Sequence, residues 1–237
     1  MHHPLPRILL WLSCIAGGGC LAAPAAPRPV VVELFTSQGC SSCPPADALL
    51  GELARAPGVL ALAFHVDYWD YLGWNDRFAL PAATERQRRY VAALRLASAY
   101  TPQMVVDGQT ELVGADRAAI EPLLRGPRLG VPIAITLQDA QLDIELPSQP
   151  AAASADVTLY AYVAEARSAI GRGENAGRIL REFNIVRESL PLGRWEGESR
   201  RFTVPVRKLP EDATAVAVLV QRPGQGPVVG AASRPLR

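Results

Sequence analysis

The sequence predicts an α/β domain followed by a smaller β-rich domain. Three observations carry this reading. Between Val30 and Arg128, apolar strand-like runs alternate with segments of helical period. Beyond Pro132 the helical period gives way to short alternating strands, and Gly126-Pro127-Arg128-Leu129-Gly130 punctuates the change.

The elements follow in order. Val30 to Phe35 is a continuous apolar run, which reads as a strand. Ala46 to Ala56 has Leu49, Leu50 and Leu53 on one side and reads as a helix, and Val59 to Val66 as a second strand. Thr84-x-x-Gln87 fits a capping box, so a helix is expected over Thr84 to Ala99 with Tyr90, Val91, Leu94 and Ala97 inward. Gln103 to Val106, the turn Asp107-Gly108, and Thr110 to Val113 form a hairpin; Asp116 caps a last helix to about Leu124. The order βαβαββα is that of a thioredoxin-like three-layer sandwich over residues 30–128. Within residues 131–237, strands near Ile133–Leu137, Leu142–Leu146, Val157–Val163, Phe183–Val186, Phe202–Val206, Ala215–Val220 and Val228–Ala231 suggest a small β-sandwich.

The composition narrows the function classes. The chain has 237 residues, 49% of them hydrophobic, with 21 prolines and 19 glycines, as suits a globular protein with many turns. Its formal charge of +1 comes from interspersed signs with no basic run, so a nucleic-acid partner is set aside. Residues 1–23 read as a signal peptide: Arg7, the apolar Ile8 to Ala16, and small residues at Leu21-Ala22-Ala23. A membrane anchor needs about 20 apolar residues, and this run decays at Gly17-Gly18-Gly19, so no transmembrane segment is expected after signal removal. Lipidation at Cys20 is the alternative, with Gly17 where a lipoprotein signal normally carries Leu. A Pro-rich linker covers 24–29. Export to a periplasmic or secreted location removes Cys14 and Cys20, leaving Cys40 and Cys43 in an oxidising compartment with His65 as the sole histidine.

Cys40-Ser41-Ser42-Cys43 sits at a strand-to-helix junction, where two thiols can form a reversible disulfide. As a staple, so short a loop contributes only roughly 2 kcal/mol in the chain-entropy model. A closed zinc site lacks a second cysteine pair. Redox use is therefore favoured, with Cys40 as nucleophile before the first helical turn and Cys43 as resolving thiol. Pro44-Pro45 complicates the helix start, and Asp47 falls near the first turn. Thr101-Pro102, between a helix and a strand, is expected to be cis and to present the Thr101 backbone beside Cys40.

Three further features have two or more readings. Glu33 is either an edge carboxylate facing solvent or a buried carboxylate with raised pKa that takes the Cys43 proton. His65 and Asp67 share a face by strand period; they form a structural pair, a proton-transfer pair, or, with Cys40, Cys43 and His65 together, a copper(I) site. Tyr68 to Asp76 concentrates Tyr68, Trp69, Tyr71 and Trp74 in a loop that lines a binding groove or covers the core. Arg172 to Arg178 is polar and Gly-rich and reads as a long hairpin loop.

Glu33-Leu34-Phe35-Thr36-Ser37-Gln38-Gly39-Cys40-Ser41-Ser42-Cys43-Pro44-Pro45-Ala46-Asp47 is followed by His65-Val66-Asp67-Tyr68-Trp69-Asp70, Thr84-Glu85-Arg86-Gln87, Thr101-Pro102-Gln103-Met104 and Gly173-Glu174-Asn175. With these motifs the chain resembles the secreted domain of unknown function 1223 family. The resemblance implies a thioredoxin-like domain with a β-rich tail. By likeness to thioredoxin-type oxidoreductases, Cys40 is the nucleophile, Cys43 the resolving thiol and Pro102 the cis proline. Ser41-Ser42 replaces the Gly-Pro of thioredoxin, which leaves the redox direction open. The leading expectation is an exported thiol-disulfide oxidoreductase acting on protein thiols or disulfides without a cofactor. A non-catalytic binding module or copper metallochaperone, and a structural adaptor, are the alternatives.

Overall fold

In the computed structural model, residues 23–150 and 152–237 are described. The expected signal peptide, with Cys14 and Cys20, lies outside the described residues up to its last position. The elements are β1 (Ala26–Arg28), β2 (Val30–Thr36), α1 (Pro44–Leu53), β3 (Val59–His65), α2 (Pro81–Ala93), β4 (Gln103–Val106), β5 (Thr110–Val113) and α3 (Arg117–Leu123). They continue with β6 (Arg128–Gly130), β7 (Ala134–Gln138), β8 (Gln141–Leu146), β9 (Ala155–Ala169), β10 (Ile179–Trp195), β11 (Arg200–Pro205), β12 (Ala215–Gln221) and β13 (Val228–Pro235). No helix among the described residues is long and apolar enough to cross a membrane.

One mixed sheet dominates, in the order β13-β12-β9-β10-β3-β2-β4-β5. β2 runs parallel to β3 and β3 parallel to β10; the other neighbours are antiparallel. Because side chains alternate along a strand, β2 serves both faces. Val32 and Leu34 pack against Ala46, Leu49 and Leu50 of α1, whereas Val31 and Phe35 pack with Tyr90 of α2. A separate three-stranded sheet, β11-β8-β7, lays Leu142, Ile144 and Leu146 on Val157, Leu159, Val216 and Val218. Each such fully buried Leu or Val contributes about 1.5–3 kcal/mol of transfer free energy.

The sandwich expected beyond Pro132 thus has both layers from its own strands, but one of them is continuous with the N-terminal sheet. β9, β10, β12 and β13 extend the N-terminal sheet through β10 and β3, where Ile185 faces Ala63. The expected linker and boundary are also strands: β1 pairs antiparallel with β6. Asp107, in the β4–β5 turn, fixes both, accepting from Arg28 at 2.6 Å, Arg128 at 2.9 Å and the Val31 N–H at 3.0 Å. Its φ of 51° and that of 69° at Gly108 suit a tight hairpin turn.

Two helix starts differ from the pattern. Helix α1 begins at Pro44, since the first helical positions need no N–H donor and tolerate proline. Helix α2 begins at Pro81 and ends at Ala93, and the capping box is absent. Thr84 lies inside the first turn and its hydroxyl donates to Asp67 at 2.6 Å. Asp116 does cap α3, accepting from the Ala119 N–H at 3.0 Å.

Candidate functional site

Cys40 and Cys43 form a disulfide with Cα atoms 5.4 Å apart. Cys43 is the residue preceding helix α1, and its carbonyl accepts from the N–H groups of Ala46 and Asp47. Pro44 and Pro45 supply no donors, so the usual free N–H groups of a helix start are missing beside the sulfurs. Both cysteines are buried, at 2% and 0% exposure; Ser41 and Ser42 between them are exposed. The Thr101–Pro102 bond is cis and Pro102 is buried. A Cβ on Gly114 would lie 3.0 Å from Pro102 and 3.2 Å from Ala46, which places the proline against the first turn of α1.

Beneath the disulfide loop lies a buried polar network. Asp47, one turn into α1, accepts from the Thr36 hydroxyl at 2.8 Å. His65 Nδ1 is 2.7 Å from Asp76 Oδ2, which also accepts from the Gln38 N–H at 2.9 Å. Gln38 Nε2 donates to Glu182 at 2.8 Å and to Ser168 at 2.9 Å, and Ser168 donates to Glu182 at 2.7 Å. His65 Nε2 is buried without a protein partner among the described residues.

The network perturbs its members strongly. Burial lifts Asp47 to about 7 against the opposing pull of the His65 charge and the Thr36 hydrogen bond. Burial pushes His65 down, but the Asp76 charge and hydrogen bond, with Glu182 and Asp47, outweigh it and raise the imidazole to about 9. Asp76 is raised by burial, yet His65 and the Gln38 and Phe78 N–H groups hold it below the usual carboxylate value. At neutral pH the site therefore contains an imidazolium and a carboxyl group near its midpoint. A groove of about 400 Å³, lined in part by Pro44, Asp47, Arg55 and Phe183, opens beside Asp47.

Two loops close over the cysteines. The tip of the β9–β10 hairpin brings Asn175, fully buried, whose Nδ2 donates to the carbonyls of Gln38 and Cys40 at 2.9 Å each. Glu174 beside it accepts from the Ser41 N–H at 3.2 Å, and this bonding to Ser41 holds its carboxyl below the ordinary range. From the other side, Trp69 Nε1 donates to Thr101 Oγ1 at 2.8 Å and Trp74 Nε1 to Gln38 Oε1 at 2.9 Å. Of the two readings of the aromatic loop, the structure shows the core cover: Tyr68 and Trp69 pack on the core, and the indoles of Trp69 and Trp74 bond to Thr101 and Gln38 beside the disulfide loop.

Glu33 is buried but not brought to this site. The alternation of β2 turns it to the α2 face, where Arg86 grips it through Nη2 at 2.8 Å and Nε, and Tyr90 donates at 2.6 Å. The proton-acceptor reading of Glu33 is therefore corrected, and its edge-strand reading too. Asp67 also departs: β3 ends at His65, so the strand period does not carry on, and Asp67 turns to Thr84. Asp76 takes His65 Nδ1 and leaves Nε2 as the nitrogen open to a ligand, while Cys40 and Cys43, joined as a disulfide, offer no thiolate to copper in this state. Among the described residues no cluster of three His, Cys, Asp or Glu side chains could hold a metal ion.

The sequence motifs contain Gln38, Asp47 and Asn175 without assigning Gln38 or Asn175 a role or Asp47 a proton, and they do not single out Asp76 or Glu182.

The family model described as a protein of unknown function, DUF1223, matches residues 31–221. The chain belongs to this family. Its fold is similar to that of the crystal structure of AGR_C_4864 from Agrobacterium tumefaciens, at 30% identity and a TM-score of 0.73, covering 88% of this chain and 94% of that one. HBP35 of Porphyromonas gingivalis shares the fold at 14% identity and a TM-score of 0.60, over 90% of this chain and 77% of that one. No curated protein matches the chain. The matched region of the family holds the whole disulfide site, from Thr36 to Glu182.

Proposed function

We propose that this family member is an exported, thioredoxin-like thiol-disulfide exchange protein acting through Cys40 and Cys43 on protein thiols or disulfides. The observation that carries the reading is the Cys40–Cys43 disulfide at the start of α1 with Asp47, titrating near neutrality, one turn behind it. In the reducing direction, the Cys40 thiolate attacks a substrate disulfide, forming a mixed disulfide and releasing one substrate thiolate. Cys43 then yields its proton to the Asp47 carboxylate, and its thiolate attacks the Cys40 sulfur. The second substrate thiolate leaves, and two electrons have passed from the cysteine pair to the substrate. The groove at Asp47 gives that proton a way to solvent. With prolines in place of N–H donors, thiolate stabilisation falls to the helix dipole.

Burial of both cysteines favours a second reading, in which the disulfide only fastens the loop. One experiment separates the two. The purified protein is incubated with oxidised and reduced glutathione mixtures and its thiols are counted by alkylation and mass. Exchange requires a measurable equilibrium potential, loss of exchange in Cys40→Ser, and a trapped mixed disulfide in Cys43→Ser. A bond that stays closed below about −300 mV is structural.

A further inference from the structure

On the α2 side of the sheet, away from α1, lies a cavity of about 660 Å³ whose lining includes Arg86, Arg89, Arg194, Arg222, Gln225 and Tyr160. Its size is within the range of small-molecule sites. Two of its donors are unused. Arg86, with its side chain 6% exposed, commits Nε and Nη2 to Glu33, Tyr90 and Gln221, which leaves Nη1 outside that network. Gln225 is 8% exposed; its Oε1 accepts from Arg89 Nε at 3.2 Å, which fixes the orientation of the amide. Its Nε2 is buried and has no partner among the described residues. A buried N–H group left without an acceptor is costly, and a ligand oxygen would satisfy it.

The charges around the cavity do not cancel. Glu33 pairs with Arg86, Glu85 lies 3.6 Å from Arg89, and Asp156 lies 3.2 Å from Arg194. Arg222 rests against the carbonyls of Ala153 and Ser154 and has no acidic partner among the described residues. One positive charge is left over, which suits a monoanion better than a phosphate dianion. Val157, Tyr160 and Pro191 supply apolar wall.

We propose that this cavity binds a small organic carboxylate, its oxygens taken by Gln225 Nε2 and the arginines and its apolar body by the Tyr160 wall. The inference does not depend on the cysteine chemistry. Isothermal titration of the full folded protein at fixed ionic strength tests it with benzoate, its uncharged analogue benzamide, and inorganic phosphate. Benzoate is expected to bind saturably, with benzamide at least about tenfold weaker because it lacks the charge-assisted hydrogen bonds. Gln225→Gly removes the amide without backbone strain, since the φ of 63° there suits glycine, and should weaken benzoate about tenfold. The proposal is overturned if benzoate does not bind saturably, if benzamide or phosphate binds as tightly, or if Gln225→Gly binds benzoate like the wild type.

Discussion

The side-chain amide of Asn175 holds the carbonyl of Cys40 at 2.9 Å across a sequence separation of 135 residues. The same amide holds Gln38, so one buried side chain from the β9–β10 hairpin pins both ends of the stretch that enters the disulfide loop.

Asn175→Ala should loosen that stretch. Two buried hydrogen bonds are lost, and a destabilisation of about 1–3 kcal/mol is expected in urea unfolding. The rate of reduction of Cys40–Cys43 by dithiothreitol should rise in the same variant. An unchanged rate would mean that the hairpin tip does not gate the sulfurs.

Stability should fall as pH rises. His65 is raised from 6.5 to about 9 in the folded protein, so its contribution is fully present below pH 6.5 and is lost as pH rises through about 9. Asp47, raised from 3.8 to about 7, acts in the same direction at lower pH: the folded state holds the proton more tightly, and stability declines between about pH 4 and 7. Denaturant midpoints from pH 5 to 9.5 check this. His65→Gln should flatten the upper part of the curve, and a rising wild-type curve between pH 6.5 and 9 would refute the assignment.

Asp47→Asn keeps the hydrogen bond from Thr36 in reach but cannot accept a proton. The wild-type rate of mixed-disulfide resolution should increase with pH through about 7, as the carboxylate forms. The variant should lack that inflection and resolve about a hundredfold more slowly near neutrality, the lower end for loss of general base catalysis. Stopped-flow measurement of thiol release gives the profile.

Glu33→Gln should separate folding from chemistry. It leaves the buried Arg86 guanidinium without its counter-charge, at a cost of about 3–5 kcal/mol. Because Glu33 lies on the sheet face away from α1, the exchange kinetics of the folded variant should match the wild type. A selective loss of exchange would restore Glu33 to the site.

Much of the N-terminal half was legible because its elements obey simple periods. The run of Val30 to Phe35, the Leu49-Leu50-Leu53 stripe and the Asp107-Gly108 turn each state their structure locally. The cysteine spacing and Thr101-Pro102 marked the site the same way. What stayed hidden is non-local. No period in the sequence says that Thr84 answers to Asp67 instead of capping a helix, or that Asp76 reaches back to His65. Glu33 was ambiguous because a strand covered on both faces gives no polar side by which to orient an acid; Arg86 on α2 decides it. The sequence pattern marks shorter strands than β9 and β10, because their outer ends carry exposed polar residues such as Glu165, Arg167 and Arg181.

The shared sheet limits how this chain can be divided. β3 has β2 on one side and β10 on the other, and β10 also delivers Glu182 to Gln38. A fragment stopped at residue 128 would bare the β3 edge, with its unpaired backbone groups open to other chains, and would strip the acid from beneath the disulfide loop. Any other C-terminal partner for the cysteine-bearing half would have to cover the β3 edge and supply an acid to Gln38.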